Sequence, residues 1–154
     1  TGDSKIEANS TIIIDCGAKY NGYCSDLTRT IVIGDAEEKI KNIYDIVHMA
    51  QLSAIDLVKV GMTGEECDSI ARKIISEAGY GDFFGHSLGH GIGLDVHENP
   101  NVGPRSKFVI QNNMPFTVEP GIYLQGWGGV RIEDIVIIID NKTQVISKAK
   151  KINL

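Results

Sequence analysis

Residues 12–30 read IIIDCGAKYNGYCSDLTRT. Two β-rich runs, 11–18 and 23–33, flank Tyr20-Asn21-Gly22. Asn and Gly accept the positive φ that a tight hairpin turn demands, so the pattern predicts an antiparallel hairpin. Each arm carries one aspartate, Asp15 and Asp26. If the turn centres between Tyr20 and Asn21, the two stand directly opposite, with side chains about 5 Å apart. If it centres on Asn21-Gly22, they are diagonal neighbours. Either register brings two carboxylates together on one face, where each raises the other's pKa unless a cation intervenes. A lone Asp after three isoleucines is more commonly a turn or edge residue, so this pair alone does not fix a function.

Downstream of the hairpin the hydrophobic period changes. Asp35 with Glu38 predicts the start of an amphipathic helix over about 36–59, with Ile40, Ile43, Val47, Ala50, Ala54, Leu57 and Val58 at helical spacing. Thr63 with Glu66 predicts a capping box for a second helix ending near Gly79. Residues 81–104 are rich in glycine and histidine and read as extended. Strand-like runs follow at 115–119, 121–124, 129–140 and 143–147. Hairpin, two helices, then mostly antiparallel strands predict an α+β domain.

Three further segments carry buried-looking polar groups: HSLGHGIGLDVHENP (86–100), MPFTVEPGIY (114–123) and GGVRIEDIVIII (128–139). His90 and His97 sit among glycines, which permit close backbone approach. Their spacing is not that of a helical H-E-x-x-H zinc motif. Gly89, Gly91 and Gly93 do not form a phosphate loop, since no Gly-Lys-Ser/Thr follows. Glu119 ends an apolar strand. Arg131 and Glu133 alternate in a β-branched run; on a surface they would be an ordinary ion pair, but the run 135–139 points to a buried strand, where charges need partners. Asp15, Asp26, His90, Glu119 and Glu133 together are costly to bury, and two divalent cations would relieve that cost. Four oxygen donors and one nitrogen favour Mn²⁺, with Co²⁺, Fe²⁺ or Zn²⁺ compatible. A hydroxide shared by the ions would be the natural nucleophile.

Composition sets the outer bounds. The chain has 154 residues, 42% of them hydrophobic and 23% charged, enough for one sizeable core. A net charge of −5 does not suggest a nucleic-acid partner. Lys148, Lys150 and Lys151 read as a solvated tail. No apolar run reaches membrane-spanning length, and no signal peptide is visible. Cys16, Cys24 and Cys67 lack metal-like spacing and are expected to be free thiols in a reducing, cytoplasmic setting. Thr1 is not an initiator methionine, so a fragment or processed product is expected.

With these motifs in this order, the chain resembles the pita-bread metallopeptidases, in the branch of Xaa-Pro dipeptidases (prolidases) and aminopeptidases P. The similarity runs from Asp15 to Ile139, and HSLGHGIGLDVHE, FTVEPGIY and VRIED are its most specific stretches. The resemblance implies a mostly antiparallel curved sheet flanked by helices. It implies that Asp15, Asp26, His90, Glu119 and Glu133 hold two metal ions, with Asp26 and Glu133 bridging. Glu119 is then the proton acceptor for the attacking water. His97 contacts the substrate and stabilises the tetrahedral intermediate, His86 lines the proline side, and Arg131 stands beside the bridging glutamate. The implied substrate is a small peptide with proline after the scissile bond, and a homodimer is expected, with no nucleic-acid or membrane partner. The family's usual histidine shortly upstream of the first aspartate has no counterpart in residues 1–14.

The family fold has two pseudo-symmetric halves, commonly after a separate N-terminal domain. Residues 1–154 are therefore expected to be the later part of one catalytic domain, weakly active alone and prone to associate through an open edge such as 11–14. Methionine aminopeptidases share the five ligands but differ around Glu133, where Val130-Arg131-Ile132-Glu133-Asp134 has the prolidase form. A non-catalytic peptide-binding module of the same fold would be expected to have lost ligands. A thiol hydrolase using Cys16 or Cys24 with His90 lacks any supporting signature around either cysteine.

Overall fold

A computed structural model describes residues 3 and 5–152. The hairpin forms where predicted, in four pieces: β1 (Ser10–Cys16), β2 (Lys19–Tyr20), β3 (Tyr23–Cys24) and β4 (Leu27–Ile33). β1 pairs antiparallel with β4, Asp15 opposite Thr28, and β2 pairs with β3. The turn centres on Asn21 (φ 49°) and Gly22 (φ 88°), so the diagonal register holds for Asp15 and Asp26. The ladder breaks between the two pairs. At Gly17 an added Cβ would sit 2.2 Å from the Ser25 carbonyl oxygen, a contact that only glycine avoids. Asp26 lies between β3 and β4, outside regular strand.

The first helix begins later than its sequence signal. α1 (Glu38–Leu57) follows Glu37, and no side chain among the described residues caps it. The turn after β4, with Gly34 at φ 88°, uses up Asp35, whose N–H donates to Asn9 Oδ1 (3.0 Å). The second helix, α2 (Gly64–Glu77), starts as predicted: Thr63 Oγ1 accepts from the Glu66 N–H (3.2 Å) and Glu66 Oε2 accepts from the Thr63 N–H (2.7 Å). Thr63→Ala removes this reciprocal cap, and thermal denaturation should record a loss of about 1 kcal/mol.

A 3₁₀ turn (Gly81–Phe83) leads into the remaining strands: β5 (Gly89–Gly91), β6 (Glu98–Val102), β7 (Pro115–Val118), β8 (Gly121–Leu124), β9 (Gly128–Arg131), β10 (Asp134–Ile139) and β11 (Lys142–Val145). Five of them form an antiparallel sheet in the order β11-β10-β7-β5-β6, and β8 pairs with β9. The run 129–140, expected as one strand, is two. Its halves choose different partners, β8 for one and β7 with β11 for the other. At the break the Glu133 N–H donates to the Thr28 carbonyl (3.0 Å), stitching β4 to this region. Thr30 adds a second stitch, since its hydroxyl donates to the Arg131 carbonyl (2.8 Å) and accepts from the Arg131 N–H (3.0 Å).

Ile43, Val47, Ala50 and Ala54 of α1 and Cys67, Ala71 and Ile75 of α2 are buried in one cluster with Phe116, Val118, Ile122, Val130, Val136 and Ile138. Helical spacing on one side and strand alternation on the other thus supply a single core. Lys151 is not part of a solvated tail. Its ammonium lies 3.0 Å from Asp134 Oδ2, and its side chain is mostly covered. No helix among the described residues is long and apolar enough to cross a membrane. Cys16, Cys24 and Cys67 are free thiols, and burial pushes the Cys67 thiol up to about 12.

Candidate active site

Four segments far apart in sequence meet in one cluster beside a cleft. Asp26 comes from the residue before β4, His90 from β5, Glu119 from the residue after β7, and Glu133 from the β9–β10 break. Ligand atoms of Asp26, His90 and Glu133 all lie within 4.8 Å of one another. His90 Nε2 is 3.2 Å from Glu119 Oε1 and 3.7 Å from Asp26 Oδ2. The cleft beside them, about 480 Å³, is lined by His86, His90, His97, Asn101, Glu119 and Arg131 among others, within the size range of small-ligand sites.

Asp15 stands slightly apart. It is half-exposed and ion-paired with Arg131 Nη2. Its charge still acts on the cluster, because it helps to raise the Asp26 and Glu133 carboxyls. Arg131 reaches the cluster indirectly: its Nε donates to Thr28 Oγ1 (3.2 Å), and that hydroxyl donates to Glu133 Oε2 (2.6 Å). His97 is exposed at the rim, its ring centroid 4.2 Å from that of His90. His86 Nδ1 donates to the Ser87 carbonyl (2.8 Å), which leaves Nε2 to accept from the Tyr123 hydroxyl (2.9 Å). Tyr123 in turn accepts from Arg131 Nη1 (3.0 Å).

Three of these partners, Thr28, Thr117 and Tyr123, were not singled out from sequence. Strand alternation carried a signal for the two threonines. Thr28 is two residues past Asp26, and Thr117 two before Glu119, so each shares a face with a candidate ligand. Thr117 Oγ1 donates to Glu119 Oε1 (2.9 Å) and accepts from the His90 N–H (3.0 Å), joining two candidate ligands through one hydroxyl. For Tyr123 no pattern in the sequence marked the relay.

The electrostatics follow from burial and crowding. Burial, then the Glu119 charge, pushes the Glu133 carboxyl up to about 8. Burial and Asp15 raise Asp26. For His90, burial opposes the charge, but hydrogen bonds to Glu119 and the Gly91 carbonyl outweigh it and lift the imidazole to about 9. Burial would raise Glu119, yet hydrogen bonds from His90 and Thr117 hold it below the usual range. Such a cluster stays together by sharing protons, and a divalent cation would take their place.

The donor set fits a metal. It consists of carboxylate oxygens and an imidazole nitrogen, without thiolate. His90 Nδ1 donates to the Gly91 carbonyl (3.0 Å), so in the neutral ring the Nε2 lone pair faces the carboxylates, the arrangement usual for a ligating histidine. Glu133 Oε1 is fully buried with no hydrogen-bond partner among the described residues, a cost that coordination would remove.

Comparison with known proteins places the chain in a family. The chain is 50% identical over 149 residues to the Xaa-Pro dipeptidase of Pyrococcus furiosus, covering 97% of this chain and 43% of that protein. It superposes on the crystal structure of the prolidase from Pyrococcus horikoshii OT3 with a TM-score of 0.96 and 48% identity, over 99% of this chain and 44% of that one. For the X-Pro aminopeptidase from Thermotoga maritima MSB8 the TM-score is 0.94 and the identity 45%, over 97% and 42%. The chain thus spans less than half the length of these relatives. The α+β pita-bread fold implied by the sequence is the fold of this chain. The pattern of metallopeptidase family M24 matches residues 1–140, and the chain belongs to that family.

Proposed function

We propose that residues 1–154 are the later part of a catalytic domain whose complete protein hydrolyses the peptide bond preceding proline in small peptides, with two divalent metal ions as cofactors. One observation carries this: Asp26, His90 and Glu133 offer convergent ligand atoms, and Glu133 Oε1 is buried without a hydrogen-bond partner among the described residues. The names of the relatives support the choice of bond. Asp15, Asp26, His90, Glu119 and Glu133 would hold the ions, Mn²⁺ being the best match for their chemistry. When bound, such ions supply Lewis acidity and lower the pKa of water.

The chain's own groups do the rest. Glu119, restrained by the Thr117 hydroxyl, takes the proton of the attacking water. His97 donates a hydrogen bond to the carbonyl oxygen of the scissile bond as negative charge develops there. His86 and Arg131, coupled through Tyr123, line the proline side. Cys24 takes no part, since its Sγ–H is directed at the Leu94 carbonyl (3.5 Å). A homodimer in the cytoplasm is the proposed setting, in keeping with the free thiols.

The deciding experiment is metal analysis of the full-length protein with turnover of Xaa-Pro and Xaa-Pro-Xaa peptides compared. Two equivalents of metal and proline-dependent hydrolysis are expected. Absence of bound metal, or cleavage indifferent to proline, would sink the proposal. His97→Ala should lower kcat about 30-fold, the worth of one hydrogen bond to a charged group, with metal content unchanged. If it strips the metal instead, His97 is a ligand and its assigned role is wrong.

A further inference from the structure

Behind the cleft lies a buried network that none of the roles above uses. Arg29 on β4 is 8% exposed, and all five of its N–H donors are engaged. Nη1 donates to the carbonyls of Thr28 (2.9 Å) and Glu133 (2.6 Å). Nη2 donates to Asp134 Oδ1 (2.6 Å) and the Ala149 carbonyl (2.7 Å), and Nε to the Lys150 carbonyl (3.3 Å). The other oxygen of Asp134 receives Lys151 Nζ (3.0 Å) and Gln51 Nε2 (3.1 Å). Gln51 also donates to the carbonyl of Val118 (3.2 Å), the residue before Glu119. Arg29 does not line the cleft.

A buried Arg–Asp pair is weak evidence for stability, because desolvation offsets its attraction and an apolar pair would serve as well. Here four of the five contacts fall on main-chain carbonyls. A planar guanidinium fork specifies geometry at such points in a way that an ammonium cannot. The points it grips are the main chain at Glu133 and at Thr28, whose hydroxyl holds the Glu133 carboxylate.

We infer that Arg29, braced by Asp134 and the segment 149–151, is a positioning residue for the metal centre: it pre-sets the Glu133 carboxylate from behind. This rests on the proposed function, which makes Glu133 a ligand. Residues 149–151 thereby become part of the scaffold of the site, although they lie outside every recognisable motif.

The test uses the full-length protein stripped of metal, titrated with Mn²⁺ by calorimetry, with its melting temperature recorded in parallel. Arg29→Lys keeps the charge and loses the fork. It should weaken Mn²⁺ binding about tenfold or more, as loss of a hydrogen-bonded support behind a ligand does. Saturating Mn²⁺ should then restore kcat, with KM for an Xaa-Pro peptide unchanged. Wild-type Mn²⁺ affinity in this variant overturns the inference, as does a folded variant whose lost turnover excess Mn²⁺ does not restore. If Arg29→Lys does not fold, Lys151→Met at the far side of the pair carries the test: weaker Mn²⁺ binding supports the inference and unchanged binding overturns it. Absence of Mn²⁺ binding in the wild type is a separate result. It refutes the proposed function, and the inference falls with it.

Discussion

Glu119→Gln in the full-length protein is expected to lower kcat for Xaa-Pro hydrolysis about a thousandfold, near the middle of the range for loss of a general base. The amide has the shape of the carboxylate, and its carbonyl oxygen can still accept the Thr117 hydroxyl bond that orients Glu119. The fold should therefore be kept, but the metal-stripped variant should melt below wild type near neutral pH, because the Glu119 charge that holds His90 protonated is gone. Two things are lost at once: a negative charge beside His90, 3.2 Å away, and the acceptor for the proton of water. Saturating metal restores neither. A variant that retains turnover within tenfold of wild type would remove Glu119 from the chemistry and leave its short contact with His90 as a structural pair only.

The second large effect is on pH. The folded protein holds His90 at about 9, above its ordinary 6.5, and Glu133 at about 8, above its ordinary 4.5. An unfolded chain would release both protons sooner. The metal-stripped protein therefore gains stability from His90 that is complete below pH 6.5 and lost as pH rises through about 9. The Glu133 contribution is complete below pH 4.5 and lost through about 8. Its melting temperature should fall between pH 6.5 and 8.5. Metal binding has the opposite sign, since ligands must shed their protons first. Expelling two protons makes Mn²⁺ affinity rise about a hundredfold per pH unit below about pH 8, and about tenfold per unit from there to about 9. Calorimetric titration from pH 6.5 to 8.5 tests the slope. A flat profile would mean that Mn²⁺ does not compete with protons on His90 and Glu133.

Much of this was legible in the residues because hydrophobic period and turn chemistry are local. Asn21-Gly22 announced the hairpin, the Thr63–Glu66 box its helix, and the three isoleucines before Asp15 a strand. The failures came where a distant partner decided the outcome. Asp35 had the chemistry of a cap, but Asn9 claimed its backbone. The 129–140 run had one pattern throughout, yet its halves pair with different strands. Lys151 looked like any basic tail until Asp134 met it. Asp26, His90, Glu119 and Glu133 could be picked out one by one because charge in an apolar strand stands out, whereas Asp15, equally conspicuous, is paired with Arg131 beside the cluster. Its supports, Thr28, Thr117, Tyr123 and Arg29, were not, since hydroxyls and an arginine in a strand look ordinary until something is hydrogen-bonded to them.

The contact between Thr28 and Glu133 joins residues 105 positions apart. Contacts of such long sequence separation form slowly, because a large loop must close before they bring any gain. On a ribosome, Asp15 and Asp26 emerge before His90, and Glu133 only after both helices and most strands of the described residues have been made. Of the proposed ligands, a cation meeting the growing chain finds first two neighbouring carboxylates, a poor and unselective trap. The tight site comes into being with the β9–β10 break, once the β4 partner is already in place. Under the proposed function, metal loading is thus a closing event of biogenesis, selected by a finished frame, and no template for the frame itself.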